Sequence, residues 1–137
     1  MKKTIIKLLF FNLLTFVLIF MANKNNSYAA SNFTYTVKDH KATITSYKGT
    51  SGNVIIPSQI GKYKVAAIGN HAFDENRNST NGKKMVNVVI SEGITRIGDF
   101  AFVDCTNLVN IKLPKSLSYL GDQTFLRCTS LKKINIP

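Results

Sequence analysis

The sequence predicts an α/β-type solenoid: short parallel strands stacked one per coil, a convex side that is mostly irregular or 3-10, and an N-terminal β-hairpin. Three observations predict it. A block of 23 residues recurs without a gap at 88–110 and 111–133. Each copy begins with a short run in which apolar and polar residues alternate, the period-two signature of a strand. Ahead of the repeats, "FTYTVKDHKATITSY" places two alternating runs around a polar turn, as a hairpin does.

The first 29 residues stand apart from that pattern. Lys2, Lys3 and Lys7 precede the apolar run "LLFFNLLTFVLIF", and polar "NKNNS" and small residues follow it. This is the layout of a secretory leader, with cleavage expected after Ala29 or Ala30. An uncleaved membrane anchor is the other reading, but a spanning helix needs about 20 apolar residues. Export leads to a secreted or cell-surface location, with membrane contact only through the leader.

Charge sets the class of partner. The chain carries 18 basic and 7 acidic residues, a net +11. Removing Lys2, Lys3, Lys7 and Lys24 with the leader leaves 14 basic residues against 7 acids, about +7. Long-range attraction then favours acidic proteins or acidic surface polymers. Nucleic acid is not expected, because neither a helix-turn-helix pattern nor zinc-finger spacing is present.

Aligning 88–110 with 111–133 places Ile90 on Leu113, Ile97 on Leu120, Gly98 on Gly121, Asp99 on Asp122, Phe102 on Phe125, Cys105 on Cys128 and Leu108 on Leu131. An earlier, looser copy holds Ile56, Pro57, Ile68, Gly69, Ala72 and Phe73, with insertions in "SQIGKYKVAAIG" and "DENRNSTNGKKM" that read as surface loops. A period of 20–29 residues is that of a leucine-rich repeat solenoid. In each coil the strand is of the "NIKL" kind, with Ile111 and Leu113 inward and Lys112 outward. Gly121 is expected to permit a turn, and Asp99 and Asp122 to cap one short helical or 3-10 turn.

The phrase "I.IP..I..IG..AF..C..L..I.IP" resembles the BspA-type leucine-rich repeats of bacterial surface and secreted proteins. "FTYTVKDHKATITSYKGTSGNVIIPSQIGKYKVAAIGNHAF" resembles the hairpin and first irregular coil that open such arrays. Ser91 departs from the pattern where proline is expected, and Thr124 where alanine is. The organisation that follows is a signal peptide at 1–29, a capping hairpin at 30–53, and a solenoid at 54–137. The solenoid divides into an irregular coil 54–87, regular coils 88–110 and 111–133, and a partial strand 134–137. What the resemblance implies about function is adhesion to host or matrix proteins or to other cells.

A single coil cannot bury its apolar face, so about three repeats are needed for stability and terminal coils need polar caps. Ile134 and Ile136 are expected to form an open edge. The chain therefore reads as the front of a longer array or as a truncated product, with self-association through that edge as a further expectation.

Catalytic chemistry is not expected. His40 and His71 are isolated, the acids form no pair aimed at one site, and there is no serine elbow, phosphate loop or metal-ligand cluster. No cofactor is implied. Cys105 and Cys128 lie in register on adjacent coils, where reduced buried thiols are favoured over a disulfide because stacked side chains point parallel. The candidate partner-binding residues are the outward side chains of successive strands: Val89, Lys112 and Asn135, with Asn87, Asn110 and Lys133 two positions earlier, and Lys83 and Lys84 on the loop feeding the sheet. A passive spacer, or the front of a larger surface protein, is the alternative to a binding module.

Overall fold

The computed structural model describes residues 31–77, 81–132, 134, 136 and 137. The expected leader lies outside the described residues, as do Lys133 and Asn135. Among the described residues the order is β1 (Phe33–Lys38), β2 (Lys41–Tyr47), β3 (Asn53–Ile56), β4 (Gln59–Ile60), β5 (Tyr63–Ile68), a 3-10 helix (Gly82–Lys84), β6 (Asn87–Ile90), β7 (Arg96–Ile97), β8 (Asn110–Lys112) and β9 (Tyr119–Leu120). No helix among them is long and apolar enough to cross a membrane.

These strands form two ladders that share one core. The first is the expected one, β3-β6-β8, parallel throughout. Its register puts Val54, Val88 and Ile111 in one inward row and Asn53, Asn87 and Asn110 in the outward row beside it. Pro114 follows β8 and supplies no ladder donor. At the matching position Ser91 has its amide, which bonds to the carbonyl of Ile56 at 3.1 Å. The departure from proline therefore extends the β3–β6 ladder by one bond.

The second ladder corrects the expected convex side in one respect. In the order β1-β2-β5-β7-β9, with β4 on β5, it adds the two-residue strands Arg96–Ile97 and Tyr119–Leu120 to returns that are otherwise turns and irregular backbone, as expected. Ile68, Ile97 and Leu120 stack in register within it. The hairpin β1–β2 is antiparallel, and β2 then pairs parallel to β5, so the hairpin extends this return ladder. A second correction concerns "SQIGKYKVAAIG". It is no surface loop but the hairpin β4–β5, turning at Gly61 with φ +57° and burying Ile60 and Val65. The 3-10 helix lies in the other insertion, whose described residues include exposed Asn76, Arg77 and Lys84 and buried Asp74, Asn81, Gly82 and Met85.

Between the two ladders each coil closes through a third set of bonds. His71 and Phe73 donate to the carbonyls of Asp99 and Ala101, and Phe100, Phe102 and Asp104 donate to those of Asp122, Thr124 and Leu126, at 2.8–3.0 Å. Left-handed residues recur in register within this segment, Phe100 with Gln123 and Asp104 with Arg127. Each such residue costs about 1–2 kcal/mol, and the coil-to-coil bonds it permits offset that cost.

Aromatic rings run through the core along the stacking direction. Phe73 and Phe102 are stacked at 4.6 Å and Phe102 and Phe125 at 5.5 Å, while Phe33 and Tyr47 pack on the N-terminal end of the column. Ile134 packs in part against the core, whereas Ile136 is 67% exposed. The expected edge strand "INIP" includes Asn135, which lies outside the described residues.

The recurring glycine and aspartate of the two regular coils do work other than expected. Neither Gly98 nor Gly121 has a left-handed backbone; a Cβ on Gly98 would sit 2.6 Å from the Asn70 nitrogen, and one on Gly121 would sit 2.5 Å from the Asp99 nitrogen. They are needed for close approach between coils, not for a turn. Asp99 caps no turn of its own coil. Its Oδ1 accepts the Asp122 amide of the next coil at 3.0 Å, and its own amide donates to Asn70 Oδ1 at 3.0 Å. Thr124, the other departure from pattern, is buried with its hydroxyl donating to the Gly121 carbonyl at 2.7 Å.

Candidate functional site

The outward side of β3-β6-β8 carries the candidate residues, and two rows of side chains make it. Alternation with the buried Val54, Ile56, Val88 and Ile111 sets both rows on this side. The first row is amide. Asn87 Nδ2 donates to Asn53 Oδ1 at 2.7 Å, and Asn110 Nδ2 donates to Asn87 Oδ1 at 2.8 Å. Asn87 and Asn110 are thus brought together as expected, but each spends hydrogen-bonding capacity on the other. Asn53 belongs to the same row. The 34-residue offset from Pro57 to Ser91 also separates Asn53 from Asn87, so the sequence holds the signal that identifies it.

The second row is Ile55, Val89 and Lys112. Val89 was expected to be an exposed contact residue, and here the structure differs: it is 7% exposed. Its neighbours in register on both sides, Ile55 and Lys112, are long enough to cover it. The row is apolar at its first two positions and cationic at the third.

Lys83 and Lys84 sit on the 3-10 helix just before β6, and they separate in role. Lys83 is half-buried, with Nζ 3.5 Å from Glu75 Oε2 and its carbonyl accepting Asn107 Nδ2 at 2.8 Å. Lys84 is exposed. Val86, also exposed, lies between Lys84 and the amide row. The face the structure assembles therefore consists of the amide row, Ile55 and Lys112, with Lys84 and Val86 exposed just ahead of β6.

Charges elsewhere brace the stack. Arg127 grips Asp104 of the preceding coil with Nε on Oδ1 and with Nη2 on Oδ2 at 2.7 Å, and Asn76 Nδ2 adds a contact at 3.3 Å. The guanidinium hydrogen bond holds the Asp104 carboxyl below its usual range. Glu92 is lowered likewise, chiefly by the Lys115 amide at 3.0 Å, with the Ser116 amide at 3.2 Å adding to it. A depressed carboxylate contributes stability that is fully present above its unfolded pKa and is lost as pH falls through the lower folded value. The expected result is a loss of stability confined to pH below about 5. Asp104→Asn should be less stable than the parent at pH 6 and should show a shallower decline between about pH 4 and 2.5, read from urea midpoints across that range.

Cys105 and Cys128 are free thiols. Cys105 Sγ donates to the Phe73 carbonyl at 3.8 Å and Cys128 Sγ to the Phe102 carbonyl at 3.0 Å, so each reaches back one coil. The thiol contact with Cys128, reinforced by burial, pushes the Cys105 pKa up and keeps it protonated. His71 stacks on Phe100 at 5.0 Å with Nδ1 3.0 Å from Asp74 Oδ2, while His40 is exposed in the β1–β2 turn. No group of three or more metal-ligating side chains converges among the described residues.

Residues 77–137 match the family described as the BspA type leucine rich repeat region. Among solved structures, the T. pallidum leucine-rich repeat protein is 32% identical with a TM-score of 0.70 over 79% of this chain and 49% of that one. A leucine-rich cell surface protein from Faecalibacterium prausnitzii is 27% identical with a TM-score of 0.63 over 75% of this chain and 28% of that one. A leucine-rich repeat protein from Bacteroides capillosus is 29% identical with a TM-score of 0.65 over 74% of this chain and 75% of that one. The chain spans about half the length of the first of these and just over a quarter of the second. No curated protein matches it. Two ladders in a 23-residue register, an inward aromatic column and glycines at the points of coil contact are what the matched residues build, and over 77–137 the chain carries BspA-type leucine-rich repeats.

Proposed function

We propose that this chain is a secreted or surface-displayed binding module that adheres to proteins of a host, a matrix or another cell. In this reading, residues 1–29 are the export signal, the β1–β2 hairpin caps the array, and 54–137 form the solenoid. The role is one of binding, without catalysis. The observation that carries the reading is the outward face of β3-β6-β8, where an amide row runs beside half-buried Ile55, covered Val89 and the cation Lys112, with exposed Lys84 just ahead of β6. Apolar side chains bordered by polar and charged ones are the anatomy of a protein contact. The cell-surface relative from Faecalibacterium prausnitzii supports the location.

Of the described lysines singled out, Lys83 is paired with Glu75, and Lys84 and Lys112 are exposed to meet an acidic partner. Replacing both with glutamate should lower attachment to protein-coated surfaces roughly tenfold at physiological salt, with little change in unfolding midpoint. Equal attachment by the variant and the parent would favour a passive spacer.

A further inference from the structure

A second surface lies on the opposite ladder, on the outward side of the hairpin sheet. Lys38 on β1 pairs with Lys41 on β2, and Lys41 pairs in turn with Lys64 on β5. All three are exposed; Lys41 and Lys64 alternate with the buried Ala42 and Val65, and Lys38 lies directly opposite Lys41, so they point to the same side. Strands lie about 4.8 Å apart, so the three lysines spring from a row of backbone positions about 10 Å long. Lys62 adds a fourth cation at the adjoining β4–β5 turn, with Nζ 5.4 Å from the Tyr63 ring.

Like charges directly opposite one another destabilise a sheet. Lysines that protect a sheet edge from aggregation explain such residues on edge strands. That explanation covers Lys38, because β1 is the edge, but β2 and β5 are interior strands. Neutralisation does not resolve the row either. The ion pairs among the described residues involve His71, Arg77, Lys83 and Arg127, and Asp39 in the hairpin turn joins none of them.

Beside the lysine row the same face is floored by hydroxyls. Thr36 pairs with Thr43, and Thr34 Oγ1 lies 3.1 Å from Thr45 Oγ1. Further along the row Ala67 meets Arg96, and Arg96 meets Tyr119. The Arg96 guanidinium sits over the Tyr119 ring at 3.7 Å, so that aromatic face is already occupied.

We infer that this face binds a linear anionic polysaccharide, its sulfates or carboxylates bridging Lys38, Lys41 and Lys64 and its hydroxyls lying on the threonine floor. Lysine is a hydrated point charge suited to spaced single anions, whereas bidentate phosphate recognition calls for arginine forks. Base stacking needs open aromatic plates, and entry into a bilayer needs apolar wedges on a cationic surface. The floor of small hydroxylated side chains supplies neither.

The test uses the purified full chain on immobilised heparin, a sulfated polysaccharide. The triple variant Lys38→Gln, Lys41→Gln, Lys64→Gln should bind roughly tenfold more weakly at about 0.15 M salt. A control triple on the other face, Lys83→Gln, Lys84→Gln, Lys112→Gln, should stay within about twofold of the parent. Equal loss in both triples would show attraction by net charge alone and overturn the inference, as would unchanged binding by the first triple. Because the row is self-repelling, the first triple should unfold at or above the parental midpoint; if it does not fold, Lys41→Gln alone should still weaken binding severalfold. Soluble dextran sulfate should displace the protein more effectively per charge than single-stranded DNA or anionic phospholipid vesicles. Parity with either competitor would overturn the polysaccharide assignment. Attachment to protein-coated surfaces through the other ladder should be untouched by the first triple, so the two readings fail separately.

Discussion

Phe102→Ala should destabilise the protein by about 3–5 kcal/mol, the range for deleting a fully buried phenylalanine. Phe102 has no exposed surface and stacks on both sides, on Phe73 at 4.6 Å and on Phe125 at 5.5 Å. Its removal takes away apolar burial and both ring contacts, and the backbone bonds from Phe100, Phe102 and Asp104 to the next coil hold the walls of the cavity apart. Phe125→Ala is the comparison. That ring is only partly buried and stacks on one described neighbour, so its loss should cost about half as much. Urea unfolding followed by circular dichroism measures both. A cost for Phe102→Ala below about 1 kcal/mol, or equal to that of Phe125→Ala, would mean that the aromatic column does not hold the coils together.

Gly98→Ala should also destabilise, by about 1–3 kcal/mol or more, and here the sign is the informative quantity. A glycine kept only for chain flexibility, with an ordinary backbone, gains about 0.4–1 kcal/mol on replacement by alanine because the unfolded chain loses freedom. Gly98 instead faces the backbone of the preceding coil, with the Asn70 nitrogen 2.6 Å and the Gly69 carbonyl carbon 2.8 Å from where a Cβ would stand. Main chain cannot swing aside as a side-chain tip can, so the coils must separate and strain the Asp99 to Asn70 bond. Gly69→Ala, with its nearest backbone neighbour at 3.2 Å, should be milder. Thermal unfolding of the two variants decides the matter, and an unchanged or raised midpoint for Gly98→Ala would return that glycine to a role in the turn.

The sequence by itself determined the repeat, its register and its family resemblance. A gapless 23-residue period, with Ile90 on Leu113, Phe102 on Phe125 and Cys105 on Cys128, fixes which residues stack whatever path the coil takes, because parallel coils place equivalent residues over one another. The β1–β2 hairpin was legible for the same kind of local reason: seven-residue alternation around a polar turn has few other solutions. The return ladder was not legible. β7 and β9 are two residues long, too short for alternation to register, and they become strands only because Ile68, Ile97 and Leu120 are held one above another by the stack.

The candidate site divides along the same line. That Asn87, Asn110 and Lys112 point outward followed from period two, and the structure places them so. That Val89 is covered, that Lys83 is tied to Glu75, and that the asparagines bond to one another depend on neighbours 23 to 34 residues away or on an inserted loop. Gly98, Gly121 and Asp99 make the point most directly. The sequence shows that each regular coil has a glycine and an acid at this step, but a turn and a close approach select the same residue, and a local cap and a bridge to the next coil use the same carboxylate. Only the distance between one coil and the next, which exists nowhere but in the folded stack, decides between them.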